Sequence, residues 1–506
     1  MGRCIMVPPA GCGCSGDEVI KDVDVDVDVD ADAMSKPRKI ILLEANEVPD
    51  QIYRYYAAER PESALAQALP VCRRYETQAS DKPLSPWVTW PTVHRGVGHQ
   101  VHGLQHFGQA LNELERKYPP IWKLLLDGGV KTGVFAPLHS WPMPEDHERY
   151  EFYVPDTFAQ TTATHPASLE PFQAFNLSMA RQSPRNVSRN IDAGLLAKFL
   201  LRAPFLGLKT STLVAAARQL LDERKQKWKS NRRRTYQSVF AYDLFLAQLK
   251  QRKPEFSNYF TNHVASAMHR YWAAVFPEEF ENLELDDAWQ ARYSAEIIFA
   301  MDWLDSFFGC LVQFVDANPD FLIVTASSMG QGASDGRRFE TQLYLRKPEL
   351  LLARAGLSED EWERRPSMDP SISIVVNSAR TDDLAAFLGR VRIGDKPLRF
   401  HIQEQGFFNL SFGESNLDPE ASPLLIDGQR EVYEELGFEN TKVEDEAGST
   451  GFHIPEGTLF IYDPADKSPK GNQGRISTTE IAPALLDHFG VSVPSYMTAA
   501  GALRFS

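Results

Sequence analysis

Four of the chain's twelve histidines, His94, His99, His102 and His106, fall within one short stretch, "TWPTVHRGVGHQVHGLQHFG". The last three are three and four residues apart, a spacing that on one helix face would hold a metal ion. Gly96, Gly98, Gly103 and Gly108 interrupt any continuous helix there, so the stretch reads as loop-rich instead. Thr89 opens it between two prolines, where a hydroxyl either hydrogen-bonds its own turn or stands as a nucleophile, with Thr92 and Ser85 as the other candidates. Three further stretches carry groups able to ligate an ion or move a proton. "LLEANEV" offers Glu44, Asn46 and Glu47, "TNHVASAMHR" offers Asn262, His263 and His269, and "GFHIP" offers His453. A fourth, "FLIVTASSMGQGASDG", ends an apolar run in Ser328, Met329 and glycines.

Elements must bring these stretches together. Lys39–Leu43, Lys131–Phe135, Phe321–Val324 and the run "GTLFIYDP" read as strands, and residues 51–72 as helical. Apolar residues at Trp289, Tyr293, Ile297, Met301, Leu304, Phe308, Leu311 and Val315 follow the three-to-four spacing of an amphipathic helix that packs a core. "STTEIAPALLDHFGVSVP" reads as a helix with a Ser477–Glu480 capping box and a left-handed stop at Gly490. Strands alternating with helices predict an α/β fold with a mostly parallel sheet. In such sheets the carboxyl ends of the strands carry the site, which would place the Glu44–Glu47 stretch, the Thr89 loop, the Asn262–His269 stretch and the Ser328 loop on one rim.

Composition narrows the class. The chain has 506 residues, 43% of them hydrophobic and 24% charged, as in an ordinary globular protein. A net charge of −15 argues against general nucleic-acid binding. Five cysteines, three of them in the first fourteen residues, make no disulfide framework; a reducing, cytoplasmic setting is expected. No apolar run approaches the roughly 18 residues of a membrane span, so none is expected. Residues 1–36 form an acidic valine–aspartate tail read as disordered, with Met34 as the expected start. Residues 37–506 are read as one domain with insertions at about 156–235 and 331–445, the second polar and irregular. The basic stretch 218–237 reads as a solvated helix face or as a patch for an anionic partner.

The order of the motifs resembles the alkaline phosphatase superfamily, above all its type I phosphodiesterase/nucleotide pyrophosphatase branch. "TWPTVHRGVGHQVHGL" is similar to that family's nucleophile stretch, "HIPEGTLFIYDP" to its late His and strand, and "STTEIAPALLDHFGVSVPSYM" to its last helix. The resemblance covers roughly residues 38–140 and 255–500. It implies an alkaline-phosphatase-like α/β fold, a mostly parallel central sheet flanked by helices, and a Thr nucleophile beside two divalent ions. Carried over residue by residue, Thr89 matches the nucleophile, His453 the late His, and His269 a third-stretch His. Asn46, Asn262, Ser328 and Met329 fall where the family keeps carboxylates and a His.

That departure changes the expected chemistry. Amides, a hydroxyl and a thioether replace charged ligands, so two ions are not expected. One divalent ion, zinc or manganese, is expected among Asn46, Asn262, His269, Ser328, His453 and Glu44. Glu44 has two readings of equal weight, a ligand or the buried partner of an arginine, and Glu47, on the other side of the strand, is a further candidate to replace a lost carboxylate. The functional expectation is a hydrolase or phosphoryl transferase acting on a small phosphorylated or phosphodiester substrate. Its rival is a catalytically silent protein of the same fold that binds a ligand or partner. A third reading uses Glu44 or Glu47 as general base.

Overall fold

The computed structural model describes residues 36–180, 193–281, 286–334, 340–367, 370–412, 414–442 and 449–505. The acidic tail up to residue 35, with Met34, and parts of both expected insertions lie outside the described residues.

Strand β1 (Lys39–Ala45) is apolar at successive positions because both of its faces are covered. Ile41, Leu43 and Ala45 enter one core, and Ile40 and Leu42 enter another on the opposite side. The same holds for β6 (Phe321–Ala326), every residue of which is buried. With β2 (Arg73–Gln78), β3 (Thr132–Phe135), β4 (Phe152–Val154), β5 (Phe256–Thr261) and two late strands they form one eight-stranded sheet. Its order is Asn472–Ser477, β2, Glu456–Tyr462, β6, β1, β5, β3, β4. Only Glu456–Tyr462 runs antiparallel to its neighbours; the other pairings are parallel. The expected α/β fold with a mostly parallel, helix-flanked sheet is therefore present, and the carboxyl ends of β1, β5 and β6 share one rim.

The Glu296–Asp316 helix lies in the first core, with Ile297, Met301, Leu304, Phe308, Leu311 and Val315 buried as their spacing predicts. The stretch Asp287–Asp316 is long and apolar enough to cross a membrane by length and composition, contrary to the reading that no run approaches that length. More than half of its most apolar window is buried inside the molecule. The Ser477–Glu480 capping box forms, and Gly490 takes the left-handed conformation.

Two regions depart from the sequence reading. Residues 86–95, expected as loop, form the helix Pro86–Arg95 in spite of Pro91. Proline at 86 sits in the first turn, where no N–H is needed. Pro91 cannot donate to the carbonyl of Trp87, and His139 Nε2 meets that carbonyl instead at 2.9 Å. The second region, expected as polar and irregular, builds a lobe with its own core. Leu343, Ile372, Ile374, Phe408, Leu410 and Phe438 are all buried in it, and two four-stranded antiparallel sheets carry it.

Candidate metal centre at the sheet rim

β1 ends at Ala45, and the chain turns at once. Glu47 takes φ +60°, a left-handed conformation that costs a non-glycine residue energy and recurs at functional sites. The turn swings the Glu47 carboxylate across the rim, where only 2% of its side chain is exposed. His269, on the helix His263–Val275, brings Nε2 to 3.1 Å from Glu47 Oε2. His453, on the strand Gly451–Ile454, brings its Nε2 to 3.4 Å from the same oxygen. That strand pairs with β7 (Gly330–Ala333), placing His453 opposite Gln331, whose side-chain amide donates to Glu47 Oε2.

Both imidazoles are oriented from behind. Nδ1 of His269 is 2.8 Å from the Gly451 carbonyl, and Nδ1 of His453 is 2.9 Å from that of Leu84. A carbonyl only accepts, so each Nδ1 carries the proton and each Nε2 is turned toward Glu47. Residue 451 must be glycine for this contact, because a Cβ there would stand 2.5 Å from the Met268 carbonyl oxygen. Burial pushes the Glu47 carboxyl up, but His453 and His269 outweigh it and hold it well below the usual carboxylate range. Burial lowers the His453 pKa, and the Glu47 charge reverses that and raises it.

The three ligand atoms lie within 4.8 Å of one another. One carboxylate and two imidazoles, each imidazole held through Nδ1 by a backbone carbonyl, is a donor set that suits zinc or manganese. The set fits one divalent ion. His269 and His453 keep 29% and 14% of their side chains exposed, so the cluster opens to solvent.

The remaining residues singled out in the sequence lie elsewhere. Asn46 Oδ1 accepts from Trp90 Nε1 at 2.7 Å. An indole N–H only donates, so Asn46 Nδ2 must be the group facing Asn262 Oδ1 at 2.7 Å and Glu47 Oε1 at 2.9 Å. Asn262 heads the His263–Val275 helix but spends its side-chain oxygen on Asn46 rather than on the cap. Thr89 Oγ1 is 2.8 Å from Ser328 Oγ and donates to the Ser85 carbonyl at 3.1 Å. Both hydroxyls are fully buried, as is Met329. Glu44 is not part of the cluster. It points to the other face of β1, where Asn258 Nδ2 donates to it at 2.9 Å and His94 Nε2 stands 3.1 Å away. Its buried partner is thus a histidine, not an arginine.

The four close-spaced histidines scatter, as their glycines imply. His94 meets Glu44, and His99 meets Asp81 at 3.2 Å. His102 accepts from the Leu104 N–H and reaches Thr92, while His106 lies against the His401 ring of the lobe. The basic stretch is partly consumed internally, in ion pairs Arg232–Glu296, Arg233–Glu223 and Lys229–Asp222. Sequence reasoning offered Glu47 as a substitute for a lost carboxylate or as a general base but left it out of the expected ion site; the signal available was its carboxylate directly after a buried strand. It missed Gln331 and His139, which have no motif. It also missed Asp156 at the end of β4, whose carboxyl burial pushes up to about 6. Asp156, Trp87, Phe107 and Trp141 line a cleft of about 1050 Å³ that reaches Arg365 and Gln403 of the lobe.

No family profile and no curated protein matches the chain. Among solved structures, the murine ectonucleotide pyrophosphatase/phosphodiesterase 5 is similar at 11% identity and TM-score 0.39, over 90% of this chain and 96% of its own. Its human counterpart is similar at 11% identity and TM-score 0.38, over 91% and 96%. The alkaline phosphatase of the Antarctic bacterium TAB5 is similar at 11% and 0.37, over 91% and 100%. A likeness this distant transfers no residue roles, and the chemistry rests on this chain's own geometry.

Proposed function

We propose that the protein acts on phosphoric esters with one divalent ion, zinc or manganese, held by Glu47, His269 and His453. The observation that carries this reading is the convergence of the three ligand atoms within 4.8 Å, open to solvent and oriented from behind by backbone carbonyls. An ion bound there would polarise a phosphoryl oxygen or a water molecule and leave a coordination position for substrate. The chain's own residues set what surrounds it. Gln331 and Asn46 fix the Glu47 carboxylate by donating to its two oxygens. Thr89 supplies the hydroxyl nucleophile of this reading, and Ser328 Oγ hydrogen-bonds that hydroxyl at 2.8 Å. The groups that Thr89 Oγ1 meets, Ser328 Oγ and the Ser85 carbonyl, are neutral, so no second divalent ion is expected there.

One observation favours the second reading, a ligand-binding protein without turnover: Thr89 has no exposed surface and is hydrogen-bonded to Ser328 and Ser85. Turnover of an aryl phosphodiester by wild type, Thr89→Ala and His453→Ala separates the two. Turnover lost in both variants supports the one-ion hydrolase. Turnover lost only in His453→Ala removes Thr89 from the chemistry. No turnover by metal-loaded wild type favours the binding protein.

A further inference from the structure

The helices Ala193–Leu206 and Thr210–Lys225 pack some apolar residues on the core and present others to solvent. The first is anchored by Phe199, fully buried against Phe172, Phe175 and Phe240. Its opposite face bears Leu201, 75% exposed, and Phe205, 86% exposed. The second helix packs Leu213 and Ala216 against the core, yet much of what it buries is polar. It buries Thr212, Gln219 and Glu223, which bond Asp243, Lys229 and Arg233, and it exposes Val214, Leu220 and Leu221. Single exposed apolar residues need no explanation, but a cluster of them spread over two consecutive helices does.

The cations on the same faces are the second observation. Lys198 and Arg202 lie three or four residues from Leu201 and Phe205; Arg218, Arg224 and Lys225 are spaced in the same way from Val214 and Leu221. All five are exposed, and none makes an ion pair among the described residues. Lys229, Arg232 and Arg233, a few residues further on, are all paired. Residues 193–225 hold six bases and two acids in a chain of net charge −15.

We propose that these two helices dock the protein on an anionic lipid surface, lying in the plane of the headgroups. Leu201, Phe205, Val214 and Leu221 would enter the acyl boundary, while the long Lys and Arg side chains reach the phosphates beside them. The chain's overall negative charge confines attraction to this face, and salt weakens it.

Flotation of the full chain with phosphatidylcholine vesicles, with and without phosphatidylserine, tests the assignment. Wild type floats with the phosphatidylserine vesicles at low salt, and less at high salt. The double variant Leu201→Ser, Phe205→Ser and the charge variant Lys198→Glu, Arg202→Glu each lose about tenfold or more in binding. Both should keep the wild-type melting temperature and circular dichroism, since none of the four side chains is buried. Absence of wild-type flotation, or flotation unchanged in both variants, overturns the proposal. A wild-type dimer that Leu201→Ser, Phe205→Ser dissolves, without vesicle binding, also overturns it and makes the face a self-interface.

Discussion

Asn46 donates its side-chain amide to Glu47 Oε1 at 2.9 Å, and Trp90 fixes which end of that amide does so. An acid at position 46 could not make this bond. It would face Glu47 with a second carboxylate in a buried site. Asn46→Asp is therefore expected to lower stability by about 1–3 kcal/mol in metal-free protein, measured by denaturant unfolding. Unchanged or raised stability would mean that the amide orientation is wrong.

His139 and Pro91 are coupled through the Trp87 carbonyl. His139→Ala should cost about 1–3 kcal/mol by leaving that buried acceptor unpaired. Pro91→Ala supplies an N–H at the right helical position, so it should cost less, or even gain, in the His139→Ala background than in wild type. A double-mutant cycle with additive effects would remove His139 from this role.

Arg232 and Glu296 form a pair with side chains 12% and 3% exposed. Glu296→Ala strands a largely buried guanidinium and is expected to destabilise by about 3–5 kcal/mol. A loss within about 0.5 kcal/mol, the usual surface value, would show that Arg232 finds another partner.

Burial pushes His102 and His139 down to about 3 and His263 down to about 4. The unfolded chain takes up these protons below about pH 6.5 while the folded chain refuses them. Stability is therefore present above pH 6.5 and falls as the pH drops toward 4, by about 1.4 kcal/mol per pH unit for each group. Asp156, pushed up to about 6, opposes this, because the folded chain holds its proton between about 3.8 and 6. His453, raised by Glu47, adds stability below pH 6.5 that is lost as the pH rises through its folded value. Unfolding free energy measured at pH 7, 5.5 and 4.5 should fall with acid; a flat or rising profile would contradict the buried neutral histidines.

The α/β layout was legible because β1, β3 and β6 are short apolar runs ended by turn residues, and because a capping box marks the last helix. The histidine loop was legible through its glycines. The Pro86–Arg95 helix was not, since the group that replaces the missing Pro91 hydrogen bond comes from His139, 48 positions downstream. The lobe's core was hidden by short strands whose partners are distant in sequence. At the site, the structure brings His269 and His453 together, and the carboxylate beside them is Glu47, where the expected ion site had named Glu44 and the neutral amide of Asn262. Strand periodicity sends Glu44 to the opposite face, and it takes the left-handed turn at Glu47 to bring a carboxylate to the two imidazoles.

Metal content is the most direct test. Elemental mass spectrometry on tag-free wild type, dialysed against zinc, magnesium and manganese in turn, should find about one zinc or manganese ion per chain. Glu47→Gln, His269→Ala and His453→Ala should each lose it while keeping the fold by circular dichroism. Wild type with no ion after every dialysis would contradict the account and leave Glu47, His269 and His453 as a buried carboxylate neutralised by imidazolium.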